Sequence, residues 1–376
     1  MRILYVATGV PFPLECGGTT HIREVAQELR RRGHELILCV RAGPGLGEGM
    51  VEGFPVHRFT WRNRDMAVSQ VVHRWRHGTR VARLAKRYDV DLIYERENSM
   101  GSGAIASQLV GLPLTAEIND LWYSPKTLER AGRIISNSGS VKGIIPKRYH
   151  HKTVFVHMAA DTQAFVDVEP VPIRGTEGRR LMCYMGSLLA WHGIPDLVAA
   201  LPLVHERVPE ATLLLLGKAT TSEGERNMAA LQKMAEEVGD PAMLHPMGLV
   251  DHTDVPGVLA SCALCVAPFN PSGEPDLLKY GFWYSPTKLW EYMAAGKPVV
   301  ATDLDNIRDI VGDDRGILVP PGEPDSLADA LVKVLTDEDL QRRMGESSLA
   351  FARENTWEKR VDEYERAIVE TLEGGK

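Results

Sequence analysis

Cysteine is scarce. Five residues in a chain of 376 cannot build the disulfide framework that small secreted domains need. Cys262 and Cys265 form a lone C-x-x-C inside the apolar run Ser261 to Val266, and no second Cys or His pair accompanies them at zinc spacing. Both read as strand core. Cys16 precedes a glycine pair and carries no assigned chemistry. Long apolar runs are also missing. Stretches such as Leu213 to Leu216 are strand-sized, far short of the roughly 20 residues of a membrane span. The opening Met1 to Thr8 reads as a buried strand, not a secretion signal, because it lacks an apolar core with a cleavage site. A cytoplasmic protein is expected. No G-x-G-x-x-G with a downstream ribose acid is visible, which argues against a dehydrogenase. Asp303-Leu-Asp305 spells D-x-D but follows a strand, where Asp305 is expected to cap a helix. No metal and no cofactor are expected.

What is present is soluble globular composition: 44% hydrophobic and 25% charged residues. The length calls for two domains. Net charge is −7, yet residues 1–170 carry 23 Lys+Arg against 17 Asp+Glu, and the remainder 20 against 33. That balance excludes nucleic acid as the global partner and allows a local anionic partner for the first half.

Strands alternate with helices throughout, which implies α/β architecture with parallel sheets covered on both faces. Strands are expected near 2–7, 35–40, 91–94, 113–117, 132–136 and 153–156. A second set is expected near 181–185, 211–216, 243–245, 263–267, 298–301 and 316–319. Helices are expected near 19–32, 65–87, 101–109 and 138–145, then 193–206, 224–238, 286–295, 305–311, 324–335, 338–353 and 357–373. The Pro- and Gly-rich segment Val168 to Gly178 has no apolar period. It divides the chain into two Rossmann-like domains, 1–165 and 166–356, with a ligand cleft expected at the carboxyl ends of the strands.

The richest stretch is Ser285 to Asp303. Ser285 suits an N-cap and Pro286 a first helical position; Gly296 and Pro298 end the helix. The orphan amides near Thr287, the helix dipole and the Lys288 ammonium suit a phosphate. Glu291, one turn on, can accept two hydroxyl hydrogen bonds, as a ribose offers. An ordinary capped helix with a solvated glutamate fits the same residues. Gly17 and Gly18, opening the first long helix, let a backbone approach a ligand or simply make a turn. Gly186, Ser187 and His192 follow the first strand of the second half, and Lys218 follows the next; each suits phosphate or sugar hydroxyls, or plain solvent. Glu95, Arg96, Glu97 and Asn98 follow one strand, and Glu117, Asn119 and Asp120 the next. They suit a sugar acceptor or structural caps. Residues 58–87 hold Arg58, Arg62, Arg64, Arg74, Arg76, Arg80, Arg83, Lys86 and Arg87 against Asp65 alone, with Trp61 and Trp75 among them. An anionic membrane surface, a polyanionic acceptor and a solvated face all fit.

Taken together, these segments make the chain resemble the retaining GT-B glycosyltransferases of family 4. The resemblance covers nearly the whole chain. It rests on Met1 to Val6, Gly17 to Glu35, Tyr184 to Gly193 and above all Ser285 to Asp303, with Gly316 to Gly322 and Arg343 to Glu358 after it. It implies two Rossmann-like domains with parallel sheets facing a central cleft, and a last helix, about 357–376, that packs back on the first domain. It implies transfer of a sugar from a nucleotide diphosphate sugar to a hydroxyl acceptor with retained configuration, in cell-surface polysaccharide or glycolipid synthesis. In this resemblance Glu291 matches the ribose-binding glutamate. The amides of Thr287 and Lys288 hold the diphosphate, Gly17 and Gly18 face donor and acceptor, and Asp303 ends the strand behind the phosphate helix. Two positions depart. Trp283 stands where many members have a first glutamate, and Ser187 and His192 stand where many have Arg and Lys. Lys288 is then the candidate replacement cation. A nucleotide-sugar epimerase and a non-catalytic nucleotide-sugar binding subunit are the alternatives. Catalytic roles are thus expected for Lys288, Glu291 and His192. Donor contacts are expected from Gly17, Gly18, Gly186, Ser187, Lys218, Ser285, Pro286 and Thr287. Acceptor contacts are expected from Glu95, Arg96, Glu117 and Asn119.

Overall fold

The computed structural model describes residues 1–14, 17–43, 45–60, 67–96 and 101–374, and within these leaves out the side chains of 67–70 and 141–142. Cys16, Trp61, Arg62, Arg64, Asp65, Glu97 and Asn98 lie outside the described residues. The chain divides into two compact units. One comprises Met1–Met158, Trp283–Ser285 and Trp357–Lys376, the other Ala159–Phe282 and Pro286–Thr356.

The first unit is built on eight strands: β1 Arg2–Pro11, β2 Glu35–Arg41, β3 Gly49–Val51, β4 Phe54–Phe59, β5 Leu92–Arg96, β6 Leu114–Glu117, β7 Arg133–Ser136 and β8 Thr153–Phe155. Their order is β3-β4-β2-β1-β5-β6-β7-β8. All neighbours are parallel except the β3–β4 hairpin. β1 lies mid-sheet, with Ile3 opposite Leu36 on one side and Leu92 on the other. Its run of apolar residues, Ile3 to Ala7, is buried on both faces, as a central parallel strand requires. The helices are α1 Gly17–Arg31, α2 Ala67–Arg87, α3 Ser102–Val110 and α4 Pro125–Arg130. The closing helix Trp357–Glu373 packs on α1 and β7. It is tied there by Arg32 to Glu365 at 3.0 Å, His34 to Glu365 at 2.8 Å and Arg133 to Glu370 at 2.6 Å.

The second unit holds β9 Arg180–Met185, β10 Ala211–Leu216, β11 Leu244–Gly248, β12 Leu264–Ala267, β13 Val299–Thr302 and β14 Gly316–Val319. They form one parallel sheet in the order β11-β10-β9-β12-β13-β14. Its helices are α5 Ile194–Arg207, α6 Ser222–Val238, α7 Val255–Ala260, α8 Pro275–Tyr280, α9 Thr287–Ala294, α10 Asp305–Val311, α11 Pro324–Thr336 and α12 Glu338–Glu354. Leu213 and Leu215 of β10, Met182 of β9, Leu264 of β12 and Leu331 of α11 share one core. Each fully buried side chain of this kind contributes about 1.5–3 kcal/mol.

Several expectations need correcting. The span 138–145 is a short 3-10 helix, Gly139–Gly143, not an α-helix; its glycines deny it helix propensity. Cys262 is buried just before β12, while Cys265 lies within it. Arg58 is buried, donating to the carbonyls of Phe12 and of Gly47 at 2.7 Å, so it takes no part in a surface patch.

Candidate functional site

In the second unit the strand-end loops press against one another. Gly217, just past β10, has φ +156°, and a Cβ there would collide with the carbonyl oxygen of Gly186. The loop after β9 therefore lies against the loop after β10, which only glycine permits. Beside it begins α9. The helix starts one residue later than the sequence suggested: Pro286 occupies the N-cap position with ψ 116°, and no side chain caps the end. Ser285 is not the cap, because the extended proline separates its hydroxyl from the first helical amides. Tyr292 locks α9 to β9 by accepting the Met185 amide at 2.8 Å.

Lys288 projects from the first turn of α9 into the interior. A Cβ on Gly186 would sit 3.1 Å from its ammonium nitrogen and 3.6 Å from Nδ1 of His192. The nitrogen lies 4.5 Å from the ring centre of Tyr184 and 4.6 Å from that of Phe269. It is buried and makes no hydrogen bond among the described residues. Burial lowers its pKa to about 7, against the upward pull of Cys183 and Glu291. A buried ammonium lined by aromatic faces, with no hydrogen-bond partner among the described residues, suits an anion.

His192 is pushed down to about 2 by burial and then by Lys288, so it works as a neutral imidazole. Tyr184 donates its hydroxyl hydrogen to the Ser187 carbonyl at 2.5 Å. The contact of 3.3 Å between that hydroxyl and His192 Nδ1 then requires Nδ1 to carry the proton. Nε2 is left as an acceptor. Of the two partners the sequence suggested for His192, a phosphate oxygen and a sugar hydroxyl, this tautomer suits the hydroxyl. Ser187 and Lys218 are exposed. Glu291 shares the helix face of Thr287 and Lys288, and Oε1 lies 3.3 Å from Nε2 of His252, a residue sequence reasoning missed. The D-x-D carboxylates are both held by Arg308, at 2.7 Å for Asp303 and 3.2 Å for Asp305. Asp305 occupies the first helical position, and the N-cap is Leu304.

In the first unit the acceptor residues separate into two kinds. Glu95 is not free for a ligand. It is buried, and its oxygens take the amides of Gly103 at 2.5 Å and Ala104 at 3.0 Å and the Thr127 hydroxyl at 3.2 Å. It caps α3. Glu117 is fully buried as well. It accepts Tyr94 Oη at 2.6 Å and the amide of Asn119, with Nδ1 of His21 at 3.3 Å and Nε of Arg96 at 3.5 Å. Burial lowers His21 to about 4, so the carboxylate's full positive partner is Arg96. Glu117 therefore orients Arg96 and Asn119 and does not itself face a ligand. Arg96 reaches back to Gly18, where a Cβ would lie 3.6 Å from Nη1. The missed signal was a carboxylate at a core-facing position of β6 and a histidine on the apolar face of α1.

Two wound parallel sheets, each covered by helices and with polar loops at the strand ends, define a GT-B protein. Residues 17–139 match the family described as Glycosyl transferase 4-like domain, and residues 179–337 match Glycosyl transferases group 1. The chain belongs to these group 1, GT-B glycosyltransferases. It is 26% identical over 361 residues to a phosphatidyl-myo-inositol mannosyltransferase of Mycolicibacterium smegmatis, covering 88% of this chain and 84% of that one. Among solved structures it is similar to a glycosyltransferase of Rickettsia africae ESF-5, with TM-score 0.78, 16% identity and coverage of 99% and 98%. It is also similar to Anabaena Alr3699/HepE in complex with UDP and glucose, with TM-score 0.76, 20% identity and coverage of 98% and 99%.

Proposed function

We propose that this glycosyltransferase moves a hexose from a nucleotide diphosphate sugar to a hydroxyl of a saccharide or lipid-linked acceptor, with retention, in glycolipid or polysaccharide assembly. The observation that carries this reading is the Lys288 ammonium, buried without a hydrogen-bond partner beneath Gly186 at the start of α9. As the glycosidic bond breaks, charge develops on the departing diphosphate; a cation and helix amides already in place stabilise that anion without reorganising. Lys288 supplies the charge that Ser187 and His192 lack. Glu291 receives the ribose, and His192 Nε2 accepts a donor-sugar hydroxyl. Arg96 and Asn119, braced by Glu117, face the acceptor. No metal ion is required in this scheme, since Lys288 and the first amides of α9 stabilise the departing diphosphate; Asp303 and Asp305 pair instead with Arg308. The UDP and glucose in the Anabaena structure and the mannosyltransferase relative fit this substrate class. Acceptor access at an anionic membrane fits α2, which carries Arg74, Arg76, Arg83, Lys86 and Arg87 and no acidic residue of its own, with Arg80 paired to Glu48, and whose Val71, Val72 and Trp75 are exposed.

The test is incubation with a panel of UDP-, GDP- and ADP-sugars and a polar-lipid extract, with the product's anomeric carbon followed by NMR. Transfer with the donor's configuration, undiminished by EDTA, is expected. An isomerised nucleotide sugar formed without any acceptor overturns the reading in favour of an epimerase.

A further inference from the structure

Glu291 has two neighbours with claims on it. Lys288 lies three residues earlier on the same helix face, and the Glu291 charge is felt there. A pair at that spacing is within reach of a direct ion pair. Such a pair would remove the stored cation and the ribose-binding carboxylate together. The structure does not contain it: Lys288 makes no hydrogen bond, and Glu291 Oε1 turns instead to His252 Nε2 at 3.3 Å. His252 sits in the turn between β11 and α7, on a different strand end from the loop that covers Lys288. It is 42% exposed while Glu291 is 14% exposed, so the histidine stands at the surface and the carboxylate just inside it. The second carboxylate oxygen has no partner among the described residues. A carboxylate only accepts, so Nε2 must be the donor, whether the imidazole is neutral or charged.

We propose that His252 is a positioning residue. By holding Oε1 it keeps Glu291 apart from Lys288 and presents Oε2 to a ribose hydroxyl, which makes this turn a determinant of ribose over deoxyribose. The inference rests on the reading of this pocket as a nucleotide site. Its physical content is orientation. A carboxylate free to rotate or to pair with Lys288 offers a ribose a poorly placed acceptor; one pinned by a neighbouring donor offers a fixed one.

Calorimetric titration of the full chain with UDP, GDP and ADP, each against its 2′-deoxy counterpart, tests it. A hydrogen bond to a charged acceptor predicts a ribose preference of about tenfold for the best-bound base. His252→Ala should shrink that preference to within about threefold, whereas His252→Gln, which keeps an N–H donor, should retain most of it. Glu291→Ala should erase it. Circular dichroism confirms folding of each variant. An unchanged ribose preference in His252→Ala, with the preference lost in Glu291→Ala, overturns the positioning role and leaves the nucleotide site intact. Equal binding of ribose and deoxyribose nucleotides by the natural protein also overturns it. Failure of the natural protein to bind any of the three diphosphates removes the nucleotide reading and the inference together.

Discussion

At the residue scale the chemistry concentrates on one lysine. In the free protein Lys288 titrates near 7 because burial disfavours its charge. A bound diphosphate restores the charged form, so binding above pH 7 must draw a proton from solution. With a folded pKa of about 7, uptake is about 0.9 proton at pH 8 and about 0.1 at pH 6. UDP-glucose is the suitable probe, because its diphosphate does not itself titrate in that range. Calorimetry in buffers of different ionisation enthalpy reads the proton number directly. Lys288→Arg, charged at every pH in this range, should abolish the uptake. Linkage also fixes how stability responds. The unfolded lysine holds its proton up to its ordinary value of 10.5, and the folded one releases it near 7. Stability of the free protein therefore gains from this group as pH rises between those limits. Lys288→Met should flatten that part of the profile in urea titrations. For turnover, Lys288→Ala and Glu291→Ala should each lower kcat/KM about a hundredfold or more with the fold intact. Native-like kinetics in both would remove the assigned pocket.

At the element scale α9 has a chemical face and a structural one. Trp290 is fully buried and stacks on Phe351 of α12 at 5.6 Å with an interplanar angle of 15°. Gly345 of α12 lets the two approach, since a Cβ there would strike the Gly296 carbonyl oxygen. Trp290→Ala should cost about 3–5 kcal/mol, read as a lower urea midpoint. Because Trp290 faces away from Lys288, nucleotide affinity below the transition should change little. The alternating apolar runs made both sheets legible in the sequence, and the capped, glycine-stopped stretch made α9 legible with an error of one residue at Pro286. The β3–β4 hairpin was not legible. Gly49–Val51 and Phe54–Phe59 are short, and Pro55, His57 and Arg58 break the apolar pattern. The turn helices α4, α7 and α8, six residues each, leave no room for a 3.6-residue period. Of the candidate site, residue types marked Lys288 and Glu291. Only the hydrogen bonds of the folded chain revealed that Glu95 caps α3, that Glu117 braces its neighbours and that His252 contacts Glu291, because those contacts join partners set apart in sequence.

At the scale of the whole molecule the charge is divided. The first half is net positive and the remainder net negative, and no helix among the described residues is long and apolar enough to cross a membrane. Under the proposed acceptor reading, α2 is the element whose composition suits a surface contact with lipid. Arg76, Arg83, Lys86 and Arg87 are exposed, and Val71, Val72 and Trp75 are exposed on the same helix. Arg80 is partly withdrawn, with its guanidinium over the Phe59 ring at 4.6 Å, one hydrogen bond to the Arg58 carbonyl at 2.6 Å and an ion pair with Glu48. Each basic side chain near an anionic surface contributes about 1 kcal/mol. Replacing Arg76, Arg83 and Arg87 together by glutamine should therefore weaken binding to phosphatidylglycerol vesicles by about a hundredfold. Binding by the natural chain should also fall as salt rises. Trp75→Ala separates the apolar contribution, because its loss should persist at high salt where the charge contribution is screened. Equal and negligible co-sedimentation with anionic and neutral vesicles would instead make α2 a solvated face, and the acceptor would then have to meet the enzyme away from the bilayer.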